Sequence, residues 1–334
     1  MGLVVGVTMV VYLLWVIFTN GIAVFWPKPV YEVHLSEDSP SMISNSTTFY
    51  GSITMDREKL SASINGVAQN FSSREYQFFT GNKDLHGFMY KFISADQVVE
   101  MKPRIGILVG ERLEYGSALF TPVRMEFAEG EVMQASNPIF TEQLHKLVKE
   151  GNKRREEYTS IEKKHIGRIN AEMEKTRIRL MALENAHGDN FIEHPEAQKR
   201  IARQEQLQKD YAVLEDKATK LRDEQEKTIL VYRTGSGEES SLPVAHFTDI
   251  YAPNQFGFFD KVYFFVRKFW GFMSENPREA NMEGGIFPAI FGTFVMTVLM
   301  SMAVMPFGVV AAIYLREYAK QGLMVRSVRI AVNN

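Results

Sequence analysis

The sequence predicts an α-helical integral membrane protein with two spans, enclosing a periplasmic α+β domain that bears an antiparallel coiled-coil hairpin. Three observations predict it. Gly2 to Pro27 carries no charged residue, and neither does Gly284 to Leu315. Between them, alternating strand-like segments give way to a long charged stretch of helix formers. The expected layout is a first transmembrane helix over 1–27, a sheet-rich domain over 28–139 and a helical hairpin over 140–228. The sheet domain then resumes over 229–252, followed by an amphipathic interfacial helix over 253–283, a second span over 284–315 and a cytoplasmic segment over 316–334.

Composition bounds the function classes. The 334 residues carry 40 acidic and 38 basic side chains, for a formal net charge of −2, so the chain has no electrostatic footprint of a nucleic-acid binder. It contains no cysteine, which excludes disulfides, thiolate metal sites and a catalytic thiol.

The first run exceeds the roughly 20 residues needed to cross a ~30 Å hydrocarbon core. Trp15 and Trp26 stand where indole rings favour the membrane interface. A cleaved signal peptide would show a basic start, a shorter apolar core and a small-x-small cleavage site, and the sequence offers none of them. Met1 abuts the run without a basic flank, so either orientation is set elsewhere or the chain is shortened at its start.

The last run would be about 48 Å long as one straight helix, more than a bilayer requires. Pro288 and Pro306 absorb the excess. A proline within a span frees a carbonyl that neighbouring protein must satisfy, which suits a bundle better than a lone tether. Ala289, Thr293, Thr297 and Ser301 recur every four residues and so share one helix face. Small and hydroxyl residues in that pattern mark a packing or pathway-facing stripe. Arg316, Lys320, Arg326 and Arg329 follow the span against Glu317 alone, which places that flank in the cytoplasm. By parity the N-terminus is also cytoplasmic, and residues 28–283 lie outside.

The enclosed segment opens with "YEVHL", "FYGSITM", "FMYKFIS" and "RIGILVG", each read as a strand by its period of two. "ALFTPVRMEFAEGEVM" reads as a strand pair broken at Glu-Gly. Further on, Ile166, Ile169, Met173, Thr176, Leu180 and Leu183 step by three and four. Leu207, Tyr211, Leu214, Ala218, Leu221 and Gln225 do the same, the pattern of a coiled-coil seam. "HGDN" supplies the turn and Pro195 the first position of the second helix. After Leu230 strand character returns across "TGSGEESS", and "NQFGFFDKVYFFVRKFWGFM" then packs aromatics around Asp260, Lys261, Arg267 and Lys268. That density suits a helix lying in the outer membrane interface, with a core helix of the sheet domain as the alternative.

Reactive chemistry is sparse. There is no GxxxxGK[ST] phosphate loop. "TGSG" at Thr234 to Gly237 is best read as a hairpin turn. His187, His194 and Asp189 lack the one-face spacing of helical metal ligands and read as polar turn residues. Glu172 and Glu174 belong to a solvated face. No catalytic, cofactor-binding or metal residue is assigned, and no enzyme is expected.

The final part of the chain carries a family signature. "PREANMEGG", "EGGIFPAIFGTF", "MPFGVVAAIYLREYA" and "VRSVRIAVNN" together resemble the permease subunits of phosphate ABC importers of the Pst type. The match is nearest to the long A subunit, with its large periplasmic insertion after the first span; "GIAVFWP" agrees more weakly. The resemblance implies a multi-pass protein of the bacterial inner membrane and a helix bundle that rescues the carbonyl freed at Pro306. It implies a second permease subunit, cytoplasmic ATPase subunits that use ATP in place of any cofactor in this chain, a periplasmic phosphate-binding protein and membrane lipid as partners, with no nucleic acid. Family members run on beyond the phrase ending in "RIAVNN" into further spans and a coupling loop. This sequence is therefore expected to be the front part of a permease, unable to transport alone. Two other classes stay open: a two-span polysaccharide chain-length regulator, and a periplasmic coiled-coil adaptor.

Overall fold

The computed structural model describes residues 2–58, 74–278, 283–318, 322, 325–328 and 330. The chain divides into two compact units, Met1–Phe264 and Phe265–Asn334.

The first unit begins with helix α1, Gly2–Phe25. Its polar side chains bond back to the helix: Thr8 Oγ1 donates to Val4 O at 2.8 Å, and Asn20 Nδ2 to Val16 O at 2.8 Å. The helix thus offers its surroundings almost nothing but apolar surface, as a lipid-facing helix must.

An α+β body follows. Its first sheet has five antiparallel strands in the order β4-β3-β2-β1-β5. These are β1 Tyr31–Leu35, β2 Thr48–Glu58, β3 Arg74–Phe79, β4 Tyr90–Ser94 and β5 Val98–Pro103, with a short helix α2, Lys83–His86, between β3 and β4. The second sheet has six strands ordered β10-β9-β7-β6-β11, with β8 paired to β7. They are β6 Leu108–Arg112, β7 Ala118–Phe127, β8 Val132–Gln134, β9 Thr228–Arg233, β10 Glu239–Pro243 and β11 Phe247–Tyr251.

Period-two alternation lets single strands feed two cores. In β6, Leu108 belongs to the core beneath the helices while Val109 belongs to a small core shared with Val30, Tyr50, Ile107 and Leu119. In β7, Phe120 and Leu119 divide the same way. In β2, Phe49 packs with Val33, Phe78 and Ile93, and its neighbour Tyr50 turns to the shared core. That shared core joins the two sheets.

Three long helices are inserted between β8 and β9: α3 Phe140–Ser160, which packs on the second sheet, and α4 Gly167–His187 and α5 Pro195–Asp223, which pack on each other. Phe140, Leu144 and Val148, spaced by one turn, sink into the core with Phe120, Tyr232 and Phe247. One turn further Gly151 passes close to Ala245, where an added Cβ would lie 3.1 Å from Ala245 Cα. α3 is therefore a core helix of the body rather than a projecting arm. Pro195 occupies the first turn of α5, and His194 Nδ1 accepts from Glu196 N–H at 3.2 Å as its cap.

The expected fold class needs correction. The chain is an α+β protein built on two antiparallel sheets, and among the described residues two helices, α1 and the later helix α7 (Phe287–Ile313), are long and apolar enough to span a membrane. Nor do α4 and α5 make a coiled coil. A coiled coil needs a large apolar side chain at nearly every seam position. Here the buried residues are Ile169 and Thr176 on α4, and Ala197, Leu207 and Ala218 on α5. Other seam positions, Met173, Leu180, Leu183, Tyr211, Leu214 and Leu221, are only half-buried, and a π-helical stretch, Ile161–Ile166, shifts the register between α3 and α4. The two helices form a loosely packed hairpin. A polar pair, Arg203–Glu172 at 2.8 Å, trims it, and Lys217 of α5 pairs with Glu157 of α3 at 2.8 Å. The hydrogen bond from Lys217 holds the Glu157 carboxyl below its ordinary pKa, but a water-exposed pair of this kind stabilises little.

The strand reading of "RIGILVG" is corrected too. Gly106 has φ +100°, so residues 104–107 form a turn, and the strand starts only at Leu108. This turn carries the chain from the first sheet to the second.

Helix α6, Phe258–Ser274, runs across the boundary of the units. The second unit contains its later part, a two-residue ribbon of β12 Pro277–Arg278 and β13 Glu283–Gly284, and α7.

Candidate functional site

The residues singled out in the last apolar run lie on α7. Its start is set by the "EGG" of the family-like motif. Gly284 has φ +88°, which only glycine adopts without strain, and a Cβ on Gly285 would lie 2.2 Å from Glu275 O. Ile286 N–H donates to Phe272 O at 2.8 Å, and Gly285 N–H to Asn276 O at 3.3 Å. These bonds hook the start of α7 onto the end of α6. That local role is invisible in the motif as text.

Along α7, Ala289, Thr293, Thr297 and Ser301 form the expected row. Thr293 Oγ1 donates to Ala289 O at 3.0 Å, Thr297 Oγ1 to Thr293 O at 2.8 Å and Ser301 Oγ to Thr297 O at 2.7 Å. Each hydroxyl proton is committed to the helix's own carbonyls. The row therefore offers a narrow, methyl-lined surface for close packing, with no donor turned outward to receive an anion. No side chain of α7 is buried. Pro306 lies inside this helix, which continues into a π-helical turn, Tyr314–Tyr318. In the basic flank, Arg316 Nε sits 3.6 Å from Glu317 Oε1, and Arg326 N–H donates to Gly322 O at 3.0 Å. Lys320 and Arg329 lie outside the described residues.

In the first unit a half-open cleft lies at the base of the helical hairpin. It holds about 210 Å³ and is lined by Arg155, Tyr158, Arg222, Gln225, Glu226 and His246 among others. Its charges are answered locally. Arg155 Nη1 donates to Ala245 O at 3.1 Å, and Arg222 pairs with Glu162 and lies over the Tyr158 ring. His246 Nε2 is 3.1 Å from Glu226 Oε1, and Gln225 Nε2 donates to Gly151 O at 2.9 Å. The arrangement works as a clasp between the hairpin and the sheet.

His187 and His194 stack with ring centroids 4.9 Å apart. Because His194 Nδ1 is already the cap of α5, the pair is a turn feature. Among the described residues no group of three or more His, Cys, Asp or Glu could hold a metal ion. Asp189 lies in the 3-10 turn between them in sequence. Thr234 to Gly237 is the turn joining β9 to β10, closed by Thr234 N–H to Glu238 O at 2.9 Å.

Sequence reasoning missed the charged group at the heart of the first unit. Arg112 is 2% exposed and clasps Asp84 with both terminal nitrogens, at 2.9 and 2.8 Å. Its Nε donates to Gly116 O at 2.9 Å. On the same short helix His86 Nδ1 meets Ser44 Oγ at 2.9 Å, at a turn where Ser44 and Asn45 both have positive φ. Burial pulls the His86 imidazole below its ordinary pKa, opposed by Glu238 and Asp84. No spacing rule links Asp84 to Arg112, so no motif could have revealed them.

Compared with known proteins, the chain matches no family model, no curated protein and no solved structure.

Proposed function

We propose that this chain is a non-catalytic permease subunit of an ATP-driven importer of inorganic phosphate. In this reading α1 and α7 cross the bacterial inner membrane, both ends are cytoplasmic and the α+β body is periplasmic. The observation that carries the proposal is α7. It is a long apolar helix with no buried side chain, a proline in its interior and one row of small residues, all of which calls for a neighbouring helix. Phosphate, the second permease subunit, the ATPase and the binding protein come from the resemblance of the segment around that helix. The self-satisfied hydroxyls favour packing over anion contact for Ala289 to Ser301.

Two measurements test the reading. Reporter fusions at Gly188 and Asn334 should report opposite sides of the membrane, and a cytoplasmic Gly188 would end it. Since the chain has no native cysteine, single substitutions can map α7. Thr293→Cys, Thr297→Cys and Ser301→Cys should cross-link to other helices of the assembled permease, while Phe294→Cys, Val298→Cys and Met302→Cys should not. Equal labelling of both sets by a lipid-soluble maleimide, without cross-links, would return α7 to a simple tether.

A further inference from the structure

The registers of four strands bring several chain segments to one end of the α+β body. β1 begins at Tyr31, just after α1, and pairs there with Pro103 at the end of β5. β11 ends at Tyr251, just before α6, and pairs there with Val109 near the start of β6. The exit of α1, the turn at 104–107 and the approach to α6 therefore share one end. Asn254 ties them: its Oδ1 accepts from Val30 N–H at 2.9 Å, and its Nδ2 donates to Val30 O at 2.6 Å and Arg104 O at 2.9 Å.

This end is apolar where turn chemistry would make it polar. Ile105 stands at the tip of the turn and is 77% exposed. Phe258 and Phe259 at the start of α6 are 69% and 85% exposed, and Tyr263, one turn on, is 71% exposed. Phe264 points the other way, into a cluster with Tyr251 and Phe256 at ring distances of 4.5 and 5.5 Å. Trp26, at the end of α1, meets Phe258 at 6.4 Å. The exposed patch is thus continuous with the end of an apolar, unburied helix of membrane-spanning length. Lys28, just after α1, and Lys261, in the first turn of α6, add positive charge to the same end, beside Asp260, whose Oδ2 accepts from Gly257 N–H at 2.9 Å.

We infer that this end is a lipid-docking face: Ile105, Phe258, Phe259 and Tyr263 enter the headgroup region of the bilayer that α1 crosses and hold the body upright against it. Aromatic rings and a lone aliphatic tip flanked by lysines are the chemistry such a surface accepts. The sequence pattern around Phe258 suggests an interfacial helix alone. The geometry adds the 104–107 turn as a second foot and Asn254 as the residue that sets the spacing of the two. The inference rests on α1 crossing the membrane, as proposed above.

The test uses the full chain, reconstituted into phosphatidylethanolamine–phosphatidylglycerol vesicles that carry nitroxide lipids, with an environment-sensitive NBD dye on single cysteines. Ile105→Cys and Phe259→Cys should lose emission to nitroxides placed near the headgroups. Val11→Cys, in mid-α1, should lose it to nitroxides placed deep in the chains. Val99→Cys, 71% exposed at the opposite end of β5, should stay bright and shows that the dye does not insert by itself. Quenching at Val11 with none at Ile105 and Phe259 overturns the docking face and leaves the span intact. Quenching at Ile105 and Phe259 without Val11 keeps the face and removes the span. Quenching of Val99 together with Ile105 overturns the assignment of the face.

Discussion

Asp84→Ala destabilises the chain by about 3 kcal/mol, the cost of leaving one member of a buried ion pair without its partner. The Arg112 side chain is 3% exposed and that of Asp84 24%, so the arginine cannot turn to water while the carboxylate sits at the rim. Removing the carboxylate strips two charge-assisted hydrogen bonds and leaves the guanidinium with Gly116 O and Tyr115 O. The penalty is amplified by where the pair lies. Thr80 to His86 straps the first sheet to the second, with Asn82 N–H donating to Ser117 O at 3.1 Å and Asn82 Nδ2 to Leu119 O at 2.9 Å. A Cβ on Gly81 would fall 2.6 Å from Ser117 O, so the strap is pressed flat. Asp84→Asn, which keeps the shape and loses the charge, should fall between wild type and Asp84→Ala. Replacing both partners by apolar residues of similar size should recover most of the loss, because no uncompensated charge remains. Urea unfolding of the chain in detergent, followed by near-UV circular dichroism, measures all three. A loss below about 1 kcal/mol for Asp84→Ala would mean that Arg112 finds water and the pair is not a joint between the sheets.

How much was legible in the sequence follows from the range of the forces involved. The two long apolar helices were visible because an uncharged run long enough to cross a bilayer is rare in a sequence. "YEVHL" was visible because the strand buries one face and the period of two survives in the text, whereas "FYGSITM" feeds a core on each side and was visible through its aromatic and β-branched residues. The hairpin was over-read. Steps of three and four report that a helix has an apolar stripe and are silent on its partner. In α3 the stripe of Phe140, Leu144 and Val148 belongs to the sheet, and between α4 and α5 the large seam residues other than Ile169 and Leu207 are only half-buried. The turn within "RIGILVG" was hidden because a glycine in an apolar run reads equally as strand or turn until its φ is known. On α7 the row of four was visible as spacing, but spacing cannot say that the hydroxyls are occupied by their own helix. Asp84, Arg112 and Asn254 act across gaps of 28 residues and more, where a single sequence contains no signal at all.

Gly235→Ala should be at least as damaging, and for a reason opposite to the one its motif suggests. In "TGSG" both glycines look like turn residues chosen for backbone freedom. Gly237 is one, with φ +86° and open space around its Cα. Gly235 has no such conformation. A Cβ there would lie 2.2 Å from Tyr50 N, 2.5 Å from Phe49 C and 2.7 Å from Phe49 Cα. All three are main-chain atoms, so no rotamer change relieves the contact. Nor can β2 retreat, since Phe49 and Tyr50 are anchored in two different cores. The methyl must push the β9–β10 turn off β2 and loosen the join between the sheets. The expected cost is about 3 kcal/mol or more, at the upper end of overpacking. Gly237→Ala meets only the left-handed backbone penalty of about 1–2 kcal/mol. Unfolding of the two variants side by side separates the explanations. If Gly237→Ala proves the more harmful, the turn's conformation is what matters and the close approach of the sheets at Gly235 is wrong. If Gly235→Ala is the worse, and Gly235→Ser is worse still, the glycine is there for the space it leaves to the neighbouring strand.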